Sequence, residues 1–196
     1  MEEVDNIYLT EEELCALEDL ELGDTKAIVR DLFLIGCETG LRFSDFIRIT
    51  AQNISDGMLS YSPKKTSGFT GNKILIPLSS RFNSILDKNK GKVPVLSNVS
   101  VTFFNKTIRE ICKEAGLTKK STFNRLVAGA IQKEERYRYQ EVSSHTCRRT
   151  FCTLKFLKGM PAQAIMKFSG HKTERNFLKY LKLDAELTAS KYKVYF

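Results

Sequence analysis

The order of apolar and polar positions predicts a largely helical chain interrupted by two short stretches of strand. Thr10-Glu11-Glu12-Glu13 has the form of a capping box, in which Thr10 accepts from a free amide and Glu13 reaches back, so a helix is predicted over about 11–21. Ile28, Leu32 and Ile35 recur at helical spacing in a second helix over roughly 25–38, with Gly40 suited to its left-handed cap, and a short helix follows from Ser44. From Asn53 the period changes. Asp56-Gly57 is a hairpin turn, and Met58–Tyr61 and Lys73–Pro77 are β-prone runs around a Gly/Ser/Thr loop, which predicts a small antiparallel sheet.

Helices return with Ser79/Ser80 capping about 81–89, then an amphipathic stretch from Val101 to Ala115 with Phe104, Ile108 and Ile111 on one face. Residues 121–141 read as a β-hairpin, Thr122–Val127 and Ile131–Tyr139. After Ser144 a helix over about 146–157 is stopped by Gly159; another starts with Pro161 in its first turn and is stopped by Gly170, and a last one begins near Thr173. The sum is a mainly α fold with a small antiparallel sheet (α+β), without repeats and without an internal domain boundary.

Length and composition narrow the class. The 196 residues, 42% hydrophobic and 28% charged, suit one globular domain with an ordinary core. No apolar run approaches the ~20 residues of a membrane-spanning helix, which argues against membrane insertion. The acidic start Met1-Glu2-Glu3-Val4-Asp5 is unlike a secretory signal, so the expected location is the cytoplasm. Five cysteines without a Cys-x-x-Cys pair suggest neither a disulfide framework nor a zinc site.

Charge changes the picture more. Residues 1–60 carry 4 Lys/Arg against 14 Asp/Glu, whereas residues 61–196 carry 27 against 9, so a formal net charge of +8 conceals a strongly basic region that suits a polyanion such as nucleic acid. Both histidines, His145 and His171, lie in that region. His145 and Arg148 are three apart on a predicted helix and leave one face together, so that one phosphate can touch both; Arg149, four from His145, is the rival to Arg148.

Five elements follow in order: Thr39-Gly40-Leu41-Arg42-Phe43-Ser44-Asp45, Ser62-Pro63-Lys64-Lys65-Thr66, Ser144-His145-Thr146-Cys147-Arg148, Ser169-Gly170-His171-Lys172, and Tyr180. From Leu9 to Leu183 this order resembles the catalytic domain of the tyrosine recombinase (phage integrase) family, in which an arginine in a Thr-Gly-Leu-Arg turn, a hairpin lysine, a His-x-x-Arg, a Gly-His and a tyrosine nine residues later build one site. The resemblance implies a DNA breaking-rejoining fold and a catalytic set of Arg42, Lys65, His145, Arg148, His171 and Tyr180. Residues 121–141 resemble the hairpin insertion of integrases carried by conjugative transposons. Family members begin with a separate helical core-binding domain, and only a short acidic tail precedes Leu9, so the expectation is a single catalytic domain over 1–196 without that partner domain.

The residue types suit the chemistry. Displacement at phosphorus piles negative charge on equatorial oxygens, and two guanidiniums, Arg42 and Arg148, are a natural clamp. A tyrosine in water is about one part in a thousand ionised at neutral pH, so a nucleophilic Tyr180 needs cations or a base; His145 is the candidate proton acceptor, and the family also allows it a purely electrostatic role. The departing 5′-hydroxyl needs a general acid, which by resemblance is Lys65; because alternate strand residues face opposite ways, Lys64 is its rival. For His171 the family's His-or-Trp position implies a hydrogen bond to a non-bridging oxygen and packing against the tyrosine helix. The scheme needs neither metal nor ATP, and no cofactor is expected.

The partner the resemblance implies is double-stranded DNA carrying a specific recombination site, held by a homotetramer that is mainly monomeric off DNA, with Ala185–Phe196 reaching a neighbour, in a bacterial nucleoid. Three other readings start from the same residues: a type IB topoisomerase that nicks and religates, a DNA-binding module without chemistry, and a metal-free ribonuclease built on His145, His171 and Lys65.

Overall fold

The computed structural model describes residues 7–62, 73–127, 130–181, 188–189 and 192–193. Among them the chain forms helices α1 (Glu11–Glu18), α2 (Asp24–Thr39), α3 (Phe43–Phe46), α4 (Ser80–Lys88), α5 (Val101–Glu114), α6 (Ser144–Leu157), α7 (Ala162–Ser169) and α8 (Glu174–Leu178). Strands β1 (Ile54–Ser55), β2 (Met58–Tyr61) and β3 (Ile74–Pro77) make one antiparallel sheet in that order, and β4 (Lys120–Val127) pairs with β5 (Ala130–Tyr137) in a hairpin.

Helix α2 is the axis of the fold. Residues Val29 to Cys37 are buried without a break, so the helix is enclosed by α6, α5, α4 and α1 and does not present a single stripe. Close approach to α6 is possible because Gly36 has no side chain: a Cβ there would stand 3.0 Å from Cys147 Sγ and from the Phe46 ring. In the sheet, Leu59, Tyr61 and Ile76 turn inward, whereas Met58, Leu75 and Pro77 face outward, in the register Leu59↔Ile76 and Tyr61↔Ile74. A second, smaller core of Phe151, Cys152, Ile165 and Phe177 lies between α6, α7 and α8 and supports Tyr180.

Two element ends differ from expectation, each for a local reason. Helix α1 stops at Glu18 and not near residue 21, because the Arg30 guanidinium takes the carbonyls of Glu18 and Leu20 (3.5 and 2.6 Å) in place of the next helical amides. Strand β5 stops at Tyr137 and not at Tyr139. There the Tyr137 amide donates to the Gln140 side chain (2.9 Å), residues Arg138–Glu141 wind into a 3-10 turn, and Arg138 reaches Glu13 and the Tyr8 carbonyl. A 3-10 turn at Ala51–Asn53 and the two-residue β1, both unforeseen, complete the approach to the Asp56-Gly57 turn. All five cysteines are free, and Cys37, Cys112, Cys147 and Cys152 are buried.

Candidate active site

The turn that carries Arg42 is set by packing. Gly40 ends α2 at φ +66°, and a Cβ there would lie 2.4 Å from Phe151 Cδ1, so a side chain is excluded both by backbone and by space. The Thr39 hydroxyl turns back to the Ile35 carbonyl (2.8 Å) and Leu41 is buried, which leaves Arg42 as the half-exposed residue leading into α3. The freed Gly40 carbonyl accepts from Arg148 Nη1 at 2.9 Å. The first and third motifs of the sequence are therefore joined through a glycine carbonyl.

Arg148 projects from α6 and is 2% exposed. Nη1 also donates to the Ser169 carbonyl, and Nε donates to His171 Nε2 at 3.2 Å. Nη2 is buried and has no hydrogen-bond partner among the described residues. No carboxylate pairs with this guanidinium among the described residues, and burial, reinforced by the charge of Arg42, lowers its pKa to about 10. A buried cation in this condition favours an incoming anion.

The arrangement of His171 fixes its tautomer. The Ser169 hydroxyl donates to the Ile165 carbonyl (2.7 Å) and so presents a lone pair to His171 Nδ1 (2.7 Å), which must carry the ring proton. Nε2 is then a bare acceptor for Arg148. Burial, with Arg148 and Arg42 adding their field, lowers the His171 pKa to about 3, so the ring is neutral. The resemblance implied a hydrogen bond from His171 to a non-bridging oxygen; in the structure Nε2 is engaged by Arg148 and Nδ1 by Ser169, and a phosphate contact requires one of these bonds to open.

Tyr180 follows α8, whose N-terminus is capped by Thr173 (Thr173 Oγ1 accepting from Asn176 N, 3.3 Å). Its ring lies 4.8 Å from the His171 ring, with the guanidinium carbons of Arg148 and Arg149 at 5.3 and 5.7 Å from its centroid. Gly170, in the left-handed conformation at φ +69°, turns the chain so that α7 and α8 deliver His171 and Tyr180 to the same pocket. That open pocket, about 480 Å³, is lined by Arg42, Arg148, His171, Lys172, Lys179 and Tyr180, with Gly170 and Asn176. His145 stands in the first turn of α6 with an exposed side chain. Displacement of water by the protein around it, and then Arg149, Arg148 and Arg42, lower its pKa, which keeps the imidazole neutral and able to accept a proton.

Of the six expected residues, Arg42, Arg148, His171 and Tyr180 share the pocket, His145 lies within the field of the same arginines, and Lys65 with its rival Lys64 falls outside the described residues. Sequence reasoning gave no role to Asp45, Tyr61 or Ser169. Asp45 is buried and accepts from the Tyr61 hydroxyl (3.0 Å) and Arg48 Nη2 (3.1 Å), while Arg48 also donates to Tyr61. This cluster ties the end of β2 to α3, three residues past Arg42. Its signal was present in the Arg42-Phe43-Ser44-Asp45 spacing, but the partner on β2 is visible only in three dimensions. Among the described residues no group of three or more His, Cys, Asp or Glu side chains is placed to hold a metal ion.

This order of helices and hairpins is the fold of a tyrosine recombinase catalytic domain, and its open cationic pocket holds a tyrosine. The family model described as "Phage integrase family" matches residues 8–186, and the chain belongs to that family. Among solved structures it resembles the XerA recombinase (TM-score 0.68, 15% identity, covering 96% of this chain and 65% of that one). It also resembles a lambda integrase dimer bound to a COC' core site (0.64, 21%, 93% and 61%) and the Tn1549 transposon integrase in complex with transposon right end DNA (0.60, 16%, 96% and 65%). At these identities the likeness is one of fold, and the chain spans less than two thirds of each of these three structures. No curated protein matches the chain. Among the described residues no helix is long and apolar enough to cross a membrane.

Proposed function

We propose that this chain is the catalytic domain of a site-specific DNA recombinase in which Tyr180 attacks a DNA phosphodiester. The Tyr180 Oη–P bond forms as the P–O5′ bond breaks, giving a 3′-phosphotyrosyl intermediate and a 5′-hydroxyl. The phenolic proton passes to His145, and Lys65 protonates the leaving oxygen; attack by a 5′-hydroxyl of a second strand then reverses the step with strand exchange. Arg42 and Arg148 hold the non-bridging oxygens. The observation that carries this reading is Arg148, a buried guanidinium that among the described residues has one nitrogen unpartnered and no carboxylate beside it, in a pocket that also holds a tyrosine. Such a site gains most when a phosphodiester supplies the missing charge.

The role of Lys65 rests on the resemblance and on its position in the chain. Double-stranded DNA is the expected partner, supported by the basic composition of residues 61–196 and by relatives solved on DNA. A specific recombination site, assembly as a homotetramer on DNA, a mainly monomeric state off it and action at the bacterial nucleoid complete the proposal.

The test is incubation with a nicked suicide duplex carrying the cognate site, followed by denaturing electrophoresis. The expected result is a covalent protein–DNA adduct that Tyr180→Phe abolishes while duplex binding stays nearly unchanged, since one hydroxyl adds little to a contact made mostly of phosphates. An adduct mapped to another residue, or binding without any adduct, overturns the assignment.

A further inference from the structure

Arg148 and Arg149 are neighbours on α6 and rivals in sequence, yet the structure gives them different surroundings. Arg148 is held by the Gly40 and Ser169 carbonyls and by His171, with Nη2 left over. Arg149 is half-buried, its Nε is buried without a hydrogen-bond partner among the described residues, and its guanidinium lies over the Tyr180 ring at 5.7 Å. Burying a guanidinium costs free energy unless something negative faces it. The π-face of Tyr180 offsets part of that cost in the neutral state.

We propose that Arg149 is a positioning residue for the nucleophile, holding the Tyr180 ring in its own chain's pocket and stabilising the phenolate that forms as Tyr180 attacks. This rests on the reading of Tyr180 as the nucleophile. A phenolate spreads its charge from Oη into the ring, so a cation over the ring favours the ionised form over the neutral one, and the interaction strengthens as the reaction begins. Both guanidiniums lie over the tyrosine ring, Arg148 at 5.3 Å and Arg149 at 5.7 Å, but Arg148 is also tied to Gly40, Ser169 and His171 and faces the phosphate, which leaves Arg149 to serve the tyrosine. Arg149 stands one helical turn past His145, and among the arginines its charge contributes most to keeping that imidazole neutral, ready for the phenolic proton. The other groups facing Tyr180 are Arg42 beyond α2, Arg148 on α6, His171 and Lys172 after α7, and Lys179 beside it. His171 is neutral and the rest are cations, so among these groups no carboxylate competes for Arg149.

The experiment measures single-turnover adduct formation on the nicked duplex at saturating protein from pH 6.5 to 9.5, with duplex affinity and melting temperature determined alongside. Arg149→Met keeps the stem and removes the charge; it is expected to slow cleavage about 30-fold near pH 7, the rate equivalent of a desolvated cation–π contact. The defect should narrow as pH rises, because hydroxide ionises the phenol without help. Arg149→Lys is expected to recover most of the rate. An unchanged rate in Arg149→Met overturns the proposal. So does a loss that is constant across pH, equal in both variants and accompanied by a lower melting temperature, which would make Arg149 a packing residue. If the unsubstituted chain forms an adduct that Tyr180→Phe abolishes, the nucleophile assignment stands whichever way Arg149 behaves; if it forms none, or one that Tyr180→Phe leaves in place, it is that assignment which fails.

Discussion

A buried arginine and a half-buried one in this molecule have opposite surroundings. Arg81, on α4, is met by three carboxylates, Glu11 of α1 (3.2 Å), Glu18 of α1 (3.1 Å) and Glu38 of α2 (2.7 Å), with Lys155 of α6 and Lys158 at its C-terminal cap extending the network. Those carboxylates outweigh the burial and raise the Arg81 pKa. Among the described residues Arg148 has two carbonyls, an imidazole nitrogen and no carboxylate as partners, and its pKa is lowered. Both guanidiniums are drawn out of water, Arg148 more fully; only Arg81 is neutralised. Six of the acidic residues before position 60, Glu11, Glu13, Glu18, Asp31, Glu38 and Asp45, pair with cations of the chain other than those lining the pocket, so among the described residues the cations of the pocket are left for a charge from outside. An arginine supplied with carboxylates by its own chain ties helices together, and one denied them leaves a charge for an incoming anion to meet.

The largest expected effect breaks that comparison directly. Arg148→Met should cut adduct formation by on the order of 10²-fold or more, since it removes a forked donor from the developing charge. Its chemical stability should hold or rise, because an uncompensated buried charge goes with it. Arg81→Met should do the reverse. Loss of the central cation leaves Glu11, Glu18 and Glu38 facing one another, at a cost of about 2–4 kcal/mol in urea denaturation, with cleavage by the folded fraction little changed. Equal stability losses in the two variants would remove the distinction.

How far this division could be read from sequence depends on whether the signal was local. The α2 cap at Gly40, the Asp56-Gly57 turn, the extents of α4 and α5 and the tandem of α7 and α8 follow from short motifs whose partners lie within a few residues, and they emerge as expected. The ends of α1 and β5 were misplaced because Arg30 and Arg138 settle them through contacts absent from the local pattern. The pairing of Arg148 with His171, the tether from Asp45 to Tyr61 and the distinct place of Arg149 likewise join separate elements; helical spacing alone could not rank Arg149 against Arg148. Charge asymmetry was legible as a total but not as a list of pairs.

The Asp45 cluster gives an intermediate effect and sharpens the comparison, because here a carboxylate lies close to the catalytic turn without neutralising it. Asp45 is taken up by Tyr61 and Arg48, which holds β2 against α3. Burial and the Asp45 charge push the Tyr61 phenol pKa up, so it remains a donor at all ordinary pH values. Tyr61 precedes Lys65 by four residues. Tyr61→Phe should therefore slow cleavage by roughly 10-fold, the equivalent of one hydrogen bond of about 1.5 kcal/mol, through looser placement of the general acid. A substrate whose 5′-bridging oxygen is replaced by sulfur leaves without a proton and should erase most of that defect, as it should for Lys65→Ala. An equal defect on both substrates would assign the cluster to Arg42 instead.

The smallest effect is a pH dependence confined to the second arginine. His171 has a pKa near 3 in the folded chain and about 6.5 when unfolded, so between those values the unfolded state takes up a proton that the folded state refuses. Stability at this group is therefore complete above about pH 6.5 and declines as pH falls towards 3. A full proton would give about 1.4 kcal/mol per pH unit, and partial solvent access reduces that to a fraction. Within the Arg81 network Glu11 is held below the usual carboxylate range by Lys158 and Arg81, so that region resists the early part of the same titration. His171→Gln keeps an acceptor for Arg148 but cannot titrate. Urea denaturation at pH 6.5, 5.5 and 4.5 should show a shallower loss of stability for His171→Gln than for the unsubstituted chain, whereas Arg81→Met should leave the difference between pH 6.5 and 5.5 unaltered. Parallel pH curves for His171→Gln and the unsubstituted chain would mean that folded His171 takes up its proton as readily as the unfolded chain does, and the neutral ring whose Nε2 accepts from Arg148 would have to be abandoned.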